Sequence, residues 1–341
     1  MTLSLISIGL SDEKDLSLRA LEEARDCDKL YAELYTMKLA TTIAALTELT
    51  LRPVQYLRRD DLEDRADVII EEARGSHIGV LVGGDCLSAT THISLIIEAV
   101  KRGIKVSIIH GSSIFSSVAE SGLSIYKFGR TVTLPFEEKG SVDTILKVIK
   151  ENLEQGLHTL VLLDLDNEAD KYMTINHALR RLFESGFSQD NLVVGIARLG
   201  SQGSVIKAGR AKDIVEHDFG ESPHSLIIPG SLHFLEVEAL EIIGDCPLEA
   251  LQGRSVKSEI DTLIEKYIQG CRRVRADMKI KATSITLTEK QIQSILDHVD
   301  KYLSDAEYYS TERKPTSLTS VSYAEGILDA LKILGISEFE W

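Results

Sequence analysis

Four short apolar runs mark the first third of the chain: Leu3–Ile8, Leu30–Leu34, Ile78–Val82 and Val106–Ile109. Runs this short, with little alternation, suit strands buried on both faces. Between them, Leu16–Cys27, Leu39–Leu49, Asp61–Arg74 and Ile93–Val100 repeat apolar residues at helical spacing; in the first, Leu18, Leu21 and Ala24 share a face. This βαβα rhythm predicts a parallel sheet with helices on its faces. A second α/β unit starts near residue 130. Its expected strands are Thr131–Leu134, Thr159–Leu163, Leu192–Ala197 and Ser225–Ile228, and its expected helices Val142–Leu153, Ile175–Phe183 and Leu232–Ile243. Past Leu251 the pattern becomes wholly helical. Val256, Ile260, Leu263, Ile264 and Tyr267 form one stripe, and Thr288-Glu289-Lys290-Gln291 reads as a capping box. A last helix covers Leu318–Leu334, with Gly335 at its C-terminal end. The expected domains are thus 1–129, 130–250 and 251–341, with a ligand cleft between the two α/β halves.

Charge narrows the partners. The net charge is −15, and the first 250 residues hold 25 basic and 39 acidic side chains. Such a body opposes contact with nucleic-acid phosphates. No apolar stretch reaches the ~18–20 residues of a membrane span. Met1–Ile8 has no basic start or small-residue cleavage site and reads as a strand, not a signal peptide. Cys27, Cys86, Cys246 and Cys271 are scattered without a C-x-x-C pair, which fits a reducing, cytoplasmic setting and no structural metal.

The richest segment is Gly83-Gly84-Asp85-Cys86-Leu87-Ser88-Ala89-Thr90-Thr91-His92, where a buried strand opens into a helix. Ligands of open α/β sheets bind at such strand ends. The segment has neither G-x-G-x-x-G nor a P-loop lysine. Asp85 reads either as a ligand acceptor, or a residue orienting a loop that binds, or as an ordinary turn carboxylate. Ser88 and Ser113 suit contacts or helix caps equally. His92, His110 and His224 match no metal-ligand spacing, and Cys86 reads as inert packing. Arg272, Arg273, Arg275, Lys279 and Lys281 read as a solvated helix face rather than a docking patch.

Seven strings in order carry a resemblance: Ile8-Gly9-Leu10-Ser11-Asp12-Glu13-Lys14-Asp15, Ala32-Glu33-Leu34-Tyr35-Thr36, Gly84 to His92, Gly122 to Gly129, Gly156 to Leu160, Ala197 to Ser201 and Pro223 to Gly230. Over Leu5 to about Pro247 the chain resembles the diphthine synthases, S-adenosylmethionine-dependent methyltransferases of tetrapyrrole-methylase-like fold. The resemblance implies an α/β two-domain methyltransferase, here with an extra C-terminal helical domain. It implies a homodimer that methylates the amino group of 3-amino-3-carboxypropyl-histidine on elongation factor 2, toward diphthine in diphthamide biosynthesis. By the same resemblance the cofactor contacts are Leu10, Asp85, Ser88, Ser113, Ile114, Leu163, Leu199 and His224, with no catalytic nucleophile and no metal. Two loops depart from the family. Cys86 stands where Gly-Asp-Pro is usual, and Gly111-Ser112 stands where Ala or Asn precedes Ala or Pro. Rival readings are a same-fold tetrapyrrole methyltransferase and a non-catalytic cofactor-binding protein. The segments Ala306–Ser310 and Val321–Leu331 resemble a small archaeal helical domain of unknown function.

Overall fold

The computed structural model describes residues 1–252, 259–281, 287–310 and 313–341. It divides into two compact units, Met1–Ser255 and Val256–Trp341.

The first unit contains two five-stranded sheets. The first has strands β1 (Thr2–Gly9), β2 (Lys29–Glu33), β3 (Val54–Leu57), β4 (His77–Gly83) and β5 (Lys105–Ile109). They are all parallel, in the order β3-β2-β4-β1-β5. Helices α1 (Leu18–Asp26), α2 (Ile43–Thr50), α3 (Arg59–Glu63), α4 (Ala66–Ala73) and α5 (Ile93–Lys101) connect them, and α6 (Ile114–Ser117) follows β5. The central strands are largely apolar because helices cover both faces, with Ser4 and Ser7 of β1 as buried polar exceptions. Leu3, Leu5, Tyr31 and Val80 pack on one side with Ile70 and Leu95, while Ile6, Ile8, Ala32 and Leu81 pack on the other with Ala20 and Ala24. At Gly79 a Cβ would lie 2.6 Å from Cys27 Sγ, so the bare strand backbone lets α1 dock closely.

The predicted α1 face holds at the buried Ala24 and the half-buried Leu21 but not at Leu18. Leu18 is 81% exposed, whereas Ala20 and Ala24 are buried. Ser17 caps this helix through the Ala20 N–H, so Leu18 is its first residue and points outward, and alanines make the close contact. The expected helix over Asp61–Arg74 is two helices, α3 and α4, parted where Arg65 leaves helical geometry (φ −118°, ψ 22°). The stretch Leu39–Leu49 becomes helical only after Thr42, whose hydroxyl accepts from Ala45 N.

The second sheet uses β6 (Val132–Leu134), β7 (Thr159–Leu163), β10 (Leu192–Ala197), β11 (Val205–Arg210) and β12 (His224–Ile228), ordered β11-β10-β12-β7-β6. A small hairpin, β8 (Leu165–Asp166) and β9 (Lys171–Tyr172), follows β7. Only β6 and β7 are parallel; β7-β12, β12-β10 and β10-β11 are antiparallel. Helices α7 (Asp143–Glu154), α8 (Ile175–Glu184), α9 (Ala211–Ile214), α10 (Phe234–Ile242) and α11 (Leu248–Leu251) complete the unit.

In the second unit, α12 (Glu259–Asp277), α13 (Glu289–Tyr308) and α14 (Lys314–Ile333) enclose Cys271, Val274, Val299, Leu303, Val321, Ala324 and Leu328. Strands β13 (Lys279–Ile280) and β14 (Ser337–Glu338) pair beside them. Val256, placed in the first stripe by sequence, lies outside the described residues. The capping box is present: Thr288 Oγ1 accepts from Gln291 N, and Gln291 Oε1 accepts from Thr288 N at 2.9 Å. Gly335 follows α14 at φ +68°. Three of the five clustered basic residues form ion pairs within the unit: Arg272 with Glu307, Arg275 with Asp300 and Lys281 with Glu338.

Candidate active site

The tips of β1 and β4 are fastened by reciprocal bonds, Gly9 N to Gly84 O at 3.1 Å and Gly84 N to Gly9 O at 2.8 Å. Gly84 sits at φ +68° and Gly9 at φ +109°. At Gly9 a Cβ would meet Asp15 Cβ at 2.5 Å. That close approach lets Asp15 accept from the N–H groups of Leu10 (3.1 Å) and Ser11 (2.6 Å), which fixes the turn carrying Leu10.

Asp85 joins the ends of β4 and β5, the two strands that flank β1. Its Oδ1 accepts from Leu87 N at 3.0 Å and Ser88 Oγ at 3.2 Å. Its Oδ2 pairs with His110 Nδ1 at 2.8 Å and accepts from Gly111 N at 3.2 Å. Burial works to raise the Asp85 pKa, but Leu87, His110 and Gly111 together outweigh it and hold the carboxyl below its ordinary value. Asp85 is therefore a charged brace between the loops after β4 and β5. Ser113 caps α6, so the turn and cap roles open in the sequence are both present here.

Cys86 is the second residue of the Asp85–Ser88 turn, closed by Ser88 N to Asp85 O at 3.0 Å. Proline is favoured at that position of a turn. Cysteine keeps an N–H, which donates to Ser7 Oγ at 2.9 Å. Ser7 is 1% exposed. A Cβ on Gly111 would lie 2.7 Å from Ser7 Cβ. Both departures from the family pattern thus converge on Ser7, which takes up the extra N–H and fills the space above Gly111. The Cys86 thiol is buried, and burial pushes its pKa up, which keeps it a packed thiol.

Behind β2, Glu33 is fully buried. It accepts from Tyr35 N (2.9 Å), Thr36 N (3.2 Å) and Thr36 Oγ1 (2.6 Å), and pairs with His92 Nε2 at 3.5 Å. His92 Nδ1 lies 3.1 Å from Cys86 O. Burial pushes the Glu33 carboxyl upward against the pull of Thr36 and His92. This couple ties the loop after β2 to the loop after β4.

In the second half, Leu163 ends β7, Leu199 follows β10 and His224 opens β12. β12 runs antiparallel to β7 and β10, with Ala197 opposite His224, so its first residue reaches the same rim as its neighbours' last. His224 Nδ1 accepts from Ile175 N at 3.3 Å and Nε2 meets Glu221 O at 3.1 Å. Burial lowers its pKa, so the ring is neutral with both nitrogens occupied. The Leu10 side chain abuts Gly200, where a Cβ would lie 3.2 Å away. Asn167, in the β8–β9 hairpin, donates to the Leu34 and Met37 carbonyls, and Tyr172 Oη donates to Asn167 Oδ1 at 2.6 Å.

These ends enclose a cavity of about 280 Å³. Leu10, Asp85, Ser88, Ser113, Ile114, Leu163, Leu199 and His224 all line it. Sequence reading missed Tyr35, Thr36, Met37, Arg59, Asp164 and Arg198, which line it too. Arg198 (φ +52°) spends its guanidinium on the carbonyls of Gly203, Phe219 and Glu221. The walls combine leucine and isoleucine side chains with open backbone at strand ends, suiting a flat heteroaromatic base with polar edges. Among the described residues no cluster of metal-ligating groups occurs, and no helix is long and apolar enough to cross a membrane.

Comparison with known proteins agrees with this geometry. Residues 2–215 match the family of tetrapyrrole (corrin/porphyrin) methylases, and residues 266–337 match a protein family of unknown function, DUF357. The diphthine synthase of Methanosphaera stadtmanae is 44% identical over 260 residues, covering 73% of this chain and 98% of that protein. That of Methanocaldococcus jannaschii is 42% identical over 252 residues, covering 71% and 98%. A crystal structure of diphthine synthase superposes with a TM-score of 0.70 at 37% identity, covering 73% of this chain and 98% of that one. The chain belongs to the diphthine synthases, within the tetrapyrrole methylase family, and carries a further helical unit of the DUF357 family.

Proposed function

We propose that this protein transfers methyl groups from S-adenosylmethionine to the amino nitrogen of 3-amino-3-carboxypropyl-histidine on elongation factor 2, a step of diphthamide biosynthesis. The observation that carries the reading is the meeting of eight residues from six separate segments in one apolar cavity of a diphthine synthase relative. Leu10, Ile114, Leu163 and Leu199 would wall the adenine, with backbone groups at the strand ends satisfying its polar edge. Asp85 and Ser88 would hold the loop against the ribose and methionine end, and the neutral His224 would close the far wall.

The sulfonium supplies a methyl already activated for in-line displacement, so the chain's residues need to align, desolvate and keep the acceptor amine unprotonated. Apolar walls exclude water from the nitrogen, and the amine proton leaves to solvent. The rival reading as a non-catalytic binder rests only on the altered turns, and the buried Ser7 is the residue that both turns meet. We take the protein to act in the cytoplasm as a homodimer, which sedimentation of the purified protein tests.

The direct test is calorimetry with S-adenosylmethionine, followed by mass-spectrometric detection of methylated elongation factor 2. Asp85→Ala removes the brace between two loops, and hydrogen bonds to a charged group contribute about 1.5–3 kcal/mol. The dissociation constant should rise at least about tenfold. A wild-type protein with no affinity for the donor would sink the proposal.

A further inference from the structure

The cavity has two sides, set by the strand order β3-β2-β4-β1-β5. Leu10, Asp85, Ser88, Ser113 and Ile114 follow β1, β4 and β5, on one side of the sheet. Tyr35 and Thr36 follow β2, and Arg59 follows β3, on the other. On the first sheet the proposed donor contacts therefore leave the β2–β3 side unassigned, while Leu163, Leu199 and His224 come from the second sheet.

That side is deliberately built. The buried Glu33 carboxylate holds the backbone N–H groups of Tyr35 and Thr36. The Tyr35 ring is 4% exposed and supports the Arg59 guanidinium at 5.3 Å from its centroid. A guanidinium stacked on an aromatic face is held in plane while its N–H fork stays open. No ion pair to Arg59 is found among the described residues, although the chain carries a net charge of −15. The other arginine of the cavity, Arg198, is consumed by three carbonyls. Arg59 is thus a positioned cation at the open side of an acidic protein.

Resting on the proposed methyl-transfer reading, we infer that Arg59, stacked on Tyr35, recognises the carboxylate beside the amine of the acceptor side chain and sets its specificity. The 3-amino-3-carboxypropyl group presents a carboxylate on the very carbon that bears the reacting nitrogen. A bidentate contact at Arg59 would fix that carbon and aim the nitrogen toward the donor side of the cavity. The donor's own methionine carboxylate is the competing source, and it would reach from the opposite strand ends.

Steady-state kinetics on elongation factor 2 carrying the modified histidine separates these. Arg59→Gln should lower kcat/KM for the acceptor about 10- to 100-fold, the range expected for losing a charge-assisted contact. The loss should appear mainly as a higher acceptor KM. Arg59→Lys should recover part of it, and the donor dissociation constant from calorimetry should stay within about twofold. An unchanged acceptor KM overturns the inference, as does a weakened donor affinity in Arg59→Gln, which assigns the cation to the methionine carboxylate. A wild-type enzyme that binds donor but never methylates this acceptor overturns the function reading, and the inference with it.

Discussion

Ser7 and Cys86 provide a sharp test of whether the cleft's unusual turn is an internally matched unit. Cys86→Pro restores the residue usual in the family at a turn position that accepts proline. Here it removes the N–H that donates to Ser7 Oγ at 2.9 Å. Ser7 is 1% exposed, and Cys86 meets its hydroxyl through both that N–H and its thiol, both of which proline lacks. Orphaning a buried hydroxyl costs about 1–3 kcal/mol, while proline returns ~0.4–1 kcal/mol through the unfolded chain. The single variant should therefore be destabilised by about 1–2 kcal/mol. Ser7→Ala orphans the N–H instead and should cost about 1–3 kcal/mol. The double variant removes both polar ends together, so its loss should fall at least ~1 kcal/mol short of the summed singles, within the usual range for contacting residues. Urea unfolding by circular dichroism measures this. Trp341, whose Nε1 donates to Asp329 at 2.7 Å, reports the helical unit separately, so the two units' transitions can be resolved. Strict additivity, or a Cys86→Pro variant more stable than wild type, would refute the reasoning.

Other consequences are simpler to check. Glu236 is 2% exposed, pairs with Lys127 at 2.5 Å and accepts from Ser124 N and His233 N. Burial opposes its ionisation, yet Lys127 and these N–H groups hold its pKa down to about 2. Its folded pKa lies below the unfolded value near 4.5, so its contribution is complete above that pH and fades as pH falls toward 2. Glu236→Ala should cost about 3–5 kcal/mol near neutrality, with a smaller difference from wild type at pH 3, read by denaturant midpoints. Asn167→Ala frees the carbonyls of Leu34 and Met37 and should weaken donor or acceptor binding about five- to tenfold by calorimetry. Leu328→Ala opens a cavity in the helical unit and should cost about 2–5 kcal/mol in the Trp341-detected transition, with donor affinity unchanged.

The site residues named ahead of the structure come from the family resemblance, and several also stand where a strand-turn signal alone predicts a ligand rim. Leu10, Asp85, Ser113 and Leu199 all stand just past an apolar run. What escaped comes from partners distant in sequence. Asn167 matters because its amide reaches Leu34 and Met37, more than 120 residues earlier, and nothing local marks it. Arg59 sits after β3, an edge strand whose Gln55 and Tyr56 face solvent, so the strand itself left little apolar trace. β11 was missed for the same reason: it is an edge strand carrying Lys207 and Arg210. The antiparallel pairing of the second sheet was also illegible, since strand direction is set by pairing rather than by local pattern.

The difference between the two sheets bears on where the chain can lengthen. In the parallel half the connections entering β2, β4 and β5 lie at the end away from the cavity, and Gly103 has open space around it. In the mixed half one remote corner is closed: a Cβ at Gly230 would lie 2.5 Å from the Gly156 backbone, and Lys127 reaches across to Ser231 O at 2.6 Å. Gly186, in the connection entering β10, has open space around it. Insertions and fused tags should therefore be tolerated near Gly103 and Gly186 and rejected where Gly156, Gly230 and Ser231 meet. Each half of the methyltransferase unit keeps one open point for growth, and the crowded Gly156–Gly230 corner is the fixed anchor against which both can be remodelled.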